Sequence, residues 1–181
     1  MTSPAEWPAW ATEEISLAEP AADWPARGAE EVERLARSLH GLLVAGPEHV
    51  GSTAVPGLAA KPILDLMAGV ASLDDAGPVE PLLAPEGWHP VPPDLDGRPW
   101  RRFFVKVAHG HRVAHLHLME PTNRRWHDQL VFRDALRADP ALRAEYAALK
   151  RALTERFRHD REAYTEAKAA FVTGVLAARP A

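Results

Sequence analysis

The chain contains no cysteine, which excludes disulfides, thiolate metal sites and a cysteine nucleophile. No apolar run approaches the roughly 20 residues of a membrane span, so no bilayer-crossing helix is expected. The first ten residues carry proline, glutamate and tryptophan in place of a basic segment and an apolar core. A secretory signal is therefore not expected, and a cytoplasmic protein is. Excess positive charge is also lacking: 21 Lys and Arg against 25 Asp and Glu leave a net charge of −4. With neither a basic stripe nor an aromatic platform, nucleic acid is not an expected partner. No GxxxxGK(S/T) sequence occurs, which rules out a P-loop kinase, and no Ser-His-Asp nucleophile elbow is recognisable.

What is present fits one globular domain. At 181 residues the chain can bury about 70% of its unfolded surface. Residues 1–14 read as a loosely ordered extension and 15–178 as a single domain, with 17 prolines marking loops more than elements. A short strand is expected at 15–18. Apolar residues at helical spacing predict an amphipathic helix over 28–43. Residues 47–50 read as a short strand, and 63–70 as an apolar strand central in a sheet. A helix is expected over 73–83. Strands at 100–107 and 112–119 flank a turn at Ala108-His109-Gly110-His111 and form a hairpin. Asn123 is placed to cap a helix to Arg137. Pro140 opens another, with Leu142, Tyr146, Leu149, Leu153 and Phe157 as its buried stripe. Asp160 caps a last helix to about Ala178. The order predicts an α/β fold in which a mixed sheet is flanked by helices, with a helical C-terminal third.

One stretch carries most of the chemistry: Glu48-His49-Val50-Gly51-Ser52-Thr53-Ala54-Val55-Pro56-Gly57-Leu58-Ala59-Ala60-Lys61-Pro62-Ile63-Leu64-Asp65. Gly51, Ser52 and Thr53 offer flexible backbone and two hydroxyls, the parts used to cradle a phosphate. Lys61 would supply a point charge to it. Asp65 sits alone in the apolar run Ile63 to Met67. Buried without a partner, its carboxylate would cost several kcal/mol. It is therefore either paired or faces a cleft and binds a cation.

Together with His115-Leu116-His117, Trp126, Leu130 to Arg137, Tyr146 to Lys150 and Tyr164 to Lys168, this stretch resembles the GrpB family of the nucleotidyltransferase-like superfamily. The similarity runs from about Ile15 to Ala177. The resemblance implies a nucleotidyltransferase-like sheet, a nucleoside triphosphate such as ATP, and Mg²⁺ or Mn²⁺ held by strand carboxylates. The superfamily pattern puts a second acid two positions after the first, where this chain has Met67. A thioether is a poor ligand for hard Mg²⁺. GrpB-like domains also occur fused to dephospho-CoA kinases, whereas no kinase part stands here.

Alternation puts His115 and His117 on one strand face. With His49 and Asp65 they form a candidate metal cluster suited to Zn²⁺, Mn²⁺ or Fe²⁺, or a source of an imidazolium or general base. Arg102 and Lys106 share a face and are candidates for an anionic substrate, as is Lys168. Asp65 and His117 are the candidate catalytic residues. Three functions follow. One is nucleotidyl transfer to a small-molecule acceptor. The second is a catalytically inactive nucleotide- or phosphometabolite-binding module assisting a partner such as a coenzyme A enzyme. The third is a histidine–aspartate metal enzyme of other chemistry.

Overall fold

The computed structural model describes residues 10, 13–14 and 16–179. Most of the expected 1–14 extension, and Ile15 of the expected first strand, lie outside the described residues. Ala18 makes an isolated bridge to Ala60 and no longer strand.

Helix α1 spans Trp24–Ser38, one turn earlier than the apolar spacing suggested, because Pro25 fits its first turn. Trp24, Gly28, Glu31 and Leu35 form its buried face. Gly41, with φ +82°, ends the helical path, and Leu43–Val50 become strand β1. Strand β2 (Leu64–Val70) pairs antiparallel with β1 and parallel with β5 (His111–Met119). Strand β4 (Arg102–Ala108) pairs antiparallel with β5 and with the edge strand β3 (Trp88–Val91). The order is β1-β2-β5-β4-β3. Strand β3 was not anticipated, since Pro90 breaks the usual strand pattern, and an edge is where a sheet tolerates proline. His109 and Gly110, at φ 52° and 77°, make the tight turn of the expected hairpin.

The expected 73–83 helix is instead a 3₁₀ turn, Leu73–Ala76, and a short helix α2, Val79–Leu83, divided at Gly77-Pro78. A four-residue helix α3 covers Pro93–Asp96. Asn123 caps α4 (Arg124–Ala138), and Asp139 caps α5 (Pro140–Arg156) through the amides of Ala141 and Leu142. The last expected helix is two: α6 (Arg161–Ala167), capped by Asp160, and α7 (Ala169–Ala177), with Lys168 at the joint.

Period-two alternation assigns the two sheet faces. Leu64, Leu66, Ala68, Leu116, Leu118 and Phe104 pack against Leu35 of α1, Leu39 just past its end, and Val79 and Leu83 of α2. The opposite face carries Asp65, Met67, Phe103, His115, His117 and Met119. Met67 and Met119 are covered by Trp100, Trp126 and Leu130. Tyr146, Leu142 and Leu149 of α5 meet Val55, Leu58, Phe132 and Phe171, while Leu153 and Phe157 meet Tyr164. The helical third therefore overhangs the polar half of this second face. Leu116 is fully buried in the middle strand, so Leu116→Ala is expected to cost about 2–5 kcal/mol in denaturant unfolding.

Candidate functional site

The site begins where β1 ends. Gly51 follows Val50 with φ 68° and leads into a 3₁₀ turn, Ser52–Ala54. A Cβ on Gly51 would stand 2.6 Å from Asp65 Oδ2, so glycine is required both by the dihedral and by the approach of the turn to the carboxylate. Thr53 and Ala54 turn inward while Ser52 is half-buried. Thr53 Oγ1 lies 3.4 Å from the Ile63 carbonyl and donates to it, so His49 Nε2–H donates to Thr53 across 2.9 Å. The imidazole fills the space over Gly28, where a Cβ would lie 2.0 Å from Nδ1. His49 is thus a strut of the turn. Burial lowers its pKa to about 4 against the pull of Asp65, with Arg137 and Arg133 adding to the depression. Arg137 donates to the Ala54 carbonyl at 2.9 Å and Arg133 to the His49 carbonyl at 3.1 Å, tying α4 to the same turn.

Asp65 is the floor. Val50 and His115 are its register partners on either side. His115 Nδ1 is 3.1 Å and His117 Nε2 3.9 Å from Asp65 Oδ1. Burial raises the carboxyl pKa, but the two imidazoles outweigh it and hold the group well below the usual carboxylate range. Some 36% of the Asp65 side chain still meets solvent, so the carboxylate can be reached from outside. Behind His117 stands Arg101, only 7% exposed, with its guanidinium 4.0 Å from the Phe103 ring centre. It donates to His117 Nδ1 and is held by Asp96, whose carboxylate accepts from Nε at 2.8 Å and from Nη2 at 2.5 Å. Since guanidinium nitrogens only donate, Nδ1 carries the lone pair and Nε2 the proton. Burial, and then Arg101, lower the pKa of His117 against the attraction of the Asp65 carboxylate.

Above the floor stand lysines from three elements. Lys150 of α5 is 2% exposed; its Nζ donates to the Ala59 carbonyl at 2.5 Å and contacts Ser52 Oγ at 2.9 Å. Burial, with Lys168 adding, brings it down to about 7 despite Asp65. Lys168 lies 4.3 Å and Lys61 4.6 Å from the centre of the Tyr164 ring. Burial lowers the Lys168 pKa, opposed by Asp65. Among the described residues Lys168 makes no hydrogen bond and no ion pair. Tyr146, beside Lys150, stays a neutral phenol: burial, Tyr164 and Asp65 all push its pKa up.

The structure thus brings together Gly51, Ser52, Thr53, Lys61, Asp65, His115, His117 and Lys168. It does not bring Arg102 or Lys106 there: alternation sends both to the helix-covered face, where Arg102 lies 3.9 Å from Asp74 and Lys106 pairs with buried Glu31 at 2.5 Å. Lys150, Arg101 and Asp96 were missed. Lys150 had a signal, standing one turn after Tyr146 on a buried stripe, where a cation needs a reason. Arg101 lies before β4, and nothing local announces its partners.

The hydrogen-bond directions decide which metal the residues fit. For Nε2 of His117 to be a ligand, its proton would have to move to Nδ1, into the Arg101 donors. For Nδ1 of His115 to be one, a proton would sit on Nε2, which is buried without a hydrogen-bond partner, where a ligating imidazole ordinarily has an acceptor. His49 is turned to Thr53. Among the described residues no three His, Asp or Glu are arranged around a metal position. An imidazole-held Zn²⁺ or Fe²⁺ does not fit. Mg²⁺ or Mn²⁺ held by one carboxylate and a ligand's phosphates fits Asp65 alone.

A mixed five-stranded sheet with its helical third folded over a carboxylate-and-lysine cleft is consistent with the nucleotidyltransferase-like superfamily. The chain belongs to the GrpB family: residues 14–178 match the family model described as GrpB protein. A UPF0157 protein of Pseudomonas aeruginosa is 42% identical across 90% of this chain, which spans 66% of that protein's length. The glutamate-rich protein GrpB of Alkalihalophilus pseudofirmus is 32% identical, with 81% of this chain and 86% of that one aligned. A dephospho-CoA kinase of Mycolicibacterium paratuberculosis is 34% identical over 85% of this chain but only 43% of its own length. The crystal structure of GrpB from Enterococcus faecalis superposes with a TM-score of 0.76 at 28% identity, covering 88% of this chain and 94% of that one.

The His49 strut carries a pH signature. Its folded pKa, about 4, lies below the unfolded value of 6.5, so the unfolded chain takes up the proton first. Folding stability is expected to fall as pH drops from 6.5 to 4. His49→Gln, which keeps a donor and does not titrate there, flattens that slope in denaturant titrations at pH 7, 5.5 and 4.5.

Proposed function

We propose that the protein binds a nucleoside triphosphate in the cleft between the Gly51-Ser52-Thr53 turn and the C-terminal helices, and transfers a nucleotidyl group to a small-molecule acceptor. The observation that carries the binding is Lys168: a half-buried ammonium near a buried lysine, with the Tyr164 ring against it, the pull of Asp65 on it, and no ion pair among the described residues. A cation so placed, beside a lysine whose own charge burial disfavours, calls for an anionic ligand. Ser52 and Lys61 line the same opening. Asp65 would share a Mg²⁺ or Mn²⁺ with the phosphates, and such an ion would supply charge neutralisation at the transferring phosphorus. His115 and His117 act on Asp65 as N–H donors, keeping it ionised and aimed. The ligand comes from a cytoplasmic nucleotide pool in this reading, and neither nucleic acid nor a membrane surface has a part.

A second reading, an inactive nucleotide- or phosphometabolite-binding module that assists a partner enzyme, is favoured by Met67. This residue stands where a second acid would, is fully buried, and packs against Val50 and Met119. The kinship with a dephospho-CoA kinase makes a coenzyme A enzyme one such partner. Calorimetry with ATP, with and without Mn²⁺, tests both readings. Lys168→Ala is expected to weaken ATP at least about tenfold, as befits a charged hydrogen bond. Asp65→Ala is expected to remove only the Mn²⁺-dependent part. Pyrophosphate release favours transfer; binding without release favours the module. Unchanged affinity in Lys168→Ala defeats the pocket.

A further inference from the structure

One contact in the cleft does more than binding requires. Lys150 is buried, and among the described residues no carboxylate is paired with it. The charged groups facing it are Lys168 at the joint of α6 and α7, Asp65 of β2 and Arg151 of its own helix, with the Tyr146 ring 4.9 Å away. Two of these three charges are positive, and an ammonium enclosed in this way is disfavoured relative to the amine. As an amine, Lys150 still donates to the Ala59 carbonyl at 2.5 Å and has its lone pair free for the group 2.9 Å away, the Ser52 hydroxyl. Ser52 is half-buried at the head of a turn that Gly51 presses against Asp65, so its oxygen borders the cleft. A hydroxyl within hydrogen-bond reach of a desolvated amine is the arrangement that activates serine where histidine is absent.

We infer that Ser52 is a nucleophile served by Lys150 as its base, taking the nucleotidyl group of a bound nucleoside triphosphate onto Oγ before passing it to the acceptor. The inference rests on the proposed nucleotide site for its substrate, and on the Ser52–Lys150 pair alone for its chemistry. In the first step the bond from Ser52 Oγ to the α-phosphorus forms as the α–β bridging P–O bond breaks. Pyrophosphate leaves with the electron pair, and the serine proton passes to Lys150 Nζ. In the second step the acceptor's hydroxyl or amine displaces Ser52. The Lys150 ammonium returns its proton to Oγ, the amine so formed takes the acceptor's, and that proton then passes to solvent and restores the base. This route needs a single acid beside the phosphates, which is what Asp65 and Met67 leave. Lys168 and Lys61 hold the phosphates, and Lys150 carries the protons, first from Ser52 and then from the acceptor.

A fluorophosphonate probe tests the pair without requiring nucleotide to bind: it places phosphorus on an activated serine and releases fluoride. The full-length chain is expected to gain one adduct, on Ser52 by peptide mass spectrometry, at a rate rising through about pH 7 as Lys150 becomes an amine. Ser52→Ala abolishes the adduct. Lys150→Met slows labelling at least about 100-fold, the scale of a lost general base. Lys150→Arg, a permanent cation, does the same and serves as a second variant should the first not fold, with melting curves checking each. Absence of the wild-type adduct, an adduct on another residue, a flat pH profile between 6 and 9, or unslowed labelling in a folded Lys150 variant overturns the inference. ATP binding without a serine adduct discards the nucleophile and keeps the pocket. An adduct without ATP binding upholds the nucleophile and discards the nucleotide.

Discussion

The structure turns on one ionised side chain in an apolar strand. Asp65 sits between Leu64 and Leu66, both committed to the core on the far face, and cannot move without dragging them. Its charge is kept by two imidazole N–H groups on the neighbouring strand, and its second oxygen lies against the bare α-carbon of Gly51. Parallel pairing of β2 with β5 makes the first possible, because Asp65 and His115 are register partners. The absence of a side chain on Gly51 makes the second possible. A one-residue slip of either strand would put the carboxylate and the imidazoles on opposite faces and leave Asp65 without donors.

Around this anion the protein spends its positive charge unevenly. Arg133 and Arg137 bond to carbonyls and carboxylates of the β1 end and work as structure. Arg101 is locked between Asp96 and His117 and fixes a proton rather than a ligand. Lys150 and Lys168 are left with carbonyl, hydroxyl and ring faces as company. The distinction between cations already answered and cations still waiting is what separates scaffold from cleft here. It cannot be made by counting charges.

Much of this was legible from residue order. The Gly-Ser-Thr bend, the isolated Asp65 and the alternating histidines were each marked by a local mismatch: flexible residues beside rigid ones, a charge among leucines, polar side chains at period two. The hairpin and the caps at Asn123, Asp139 and Asp160 follow from turn and capping chemistry that acts over a few residues. What could not be read was the choice of face. Arg102 and Lys106 share a side of β4, as alternation demands, but which side meets α1 is settled by Phe104 joining the leucine core. Helix α1 was shifted because the apolar spacing of Leu39, Leu42 and Leu43 continues past Gly41 into what is a strand. The roles of His49, Arg101 and Lys150 depend on partners 4 to 98 residues away, and no local pattern encodes those.

The pocket is stitched from far ends of the chain: Ser52 from the first strand turn, Lys150 from α5 and Lys168 from the joint beyond α6. The sheet and the loops between its strands supply Asp65, Ser52 and Lys61, while Lys150 and Lys168 come only with the C-terminal helices. Any anion seated there would act as a rivet between sheet and helical cap, so its binding would strengthen the hold of the helices on the sheet.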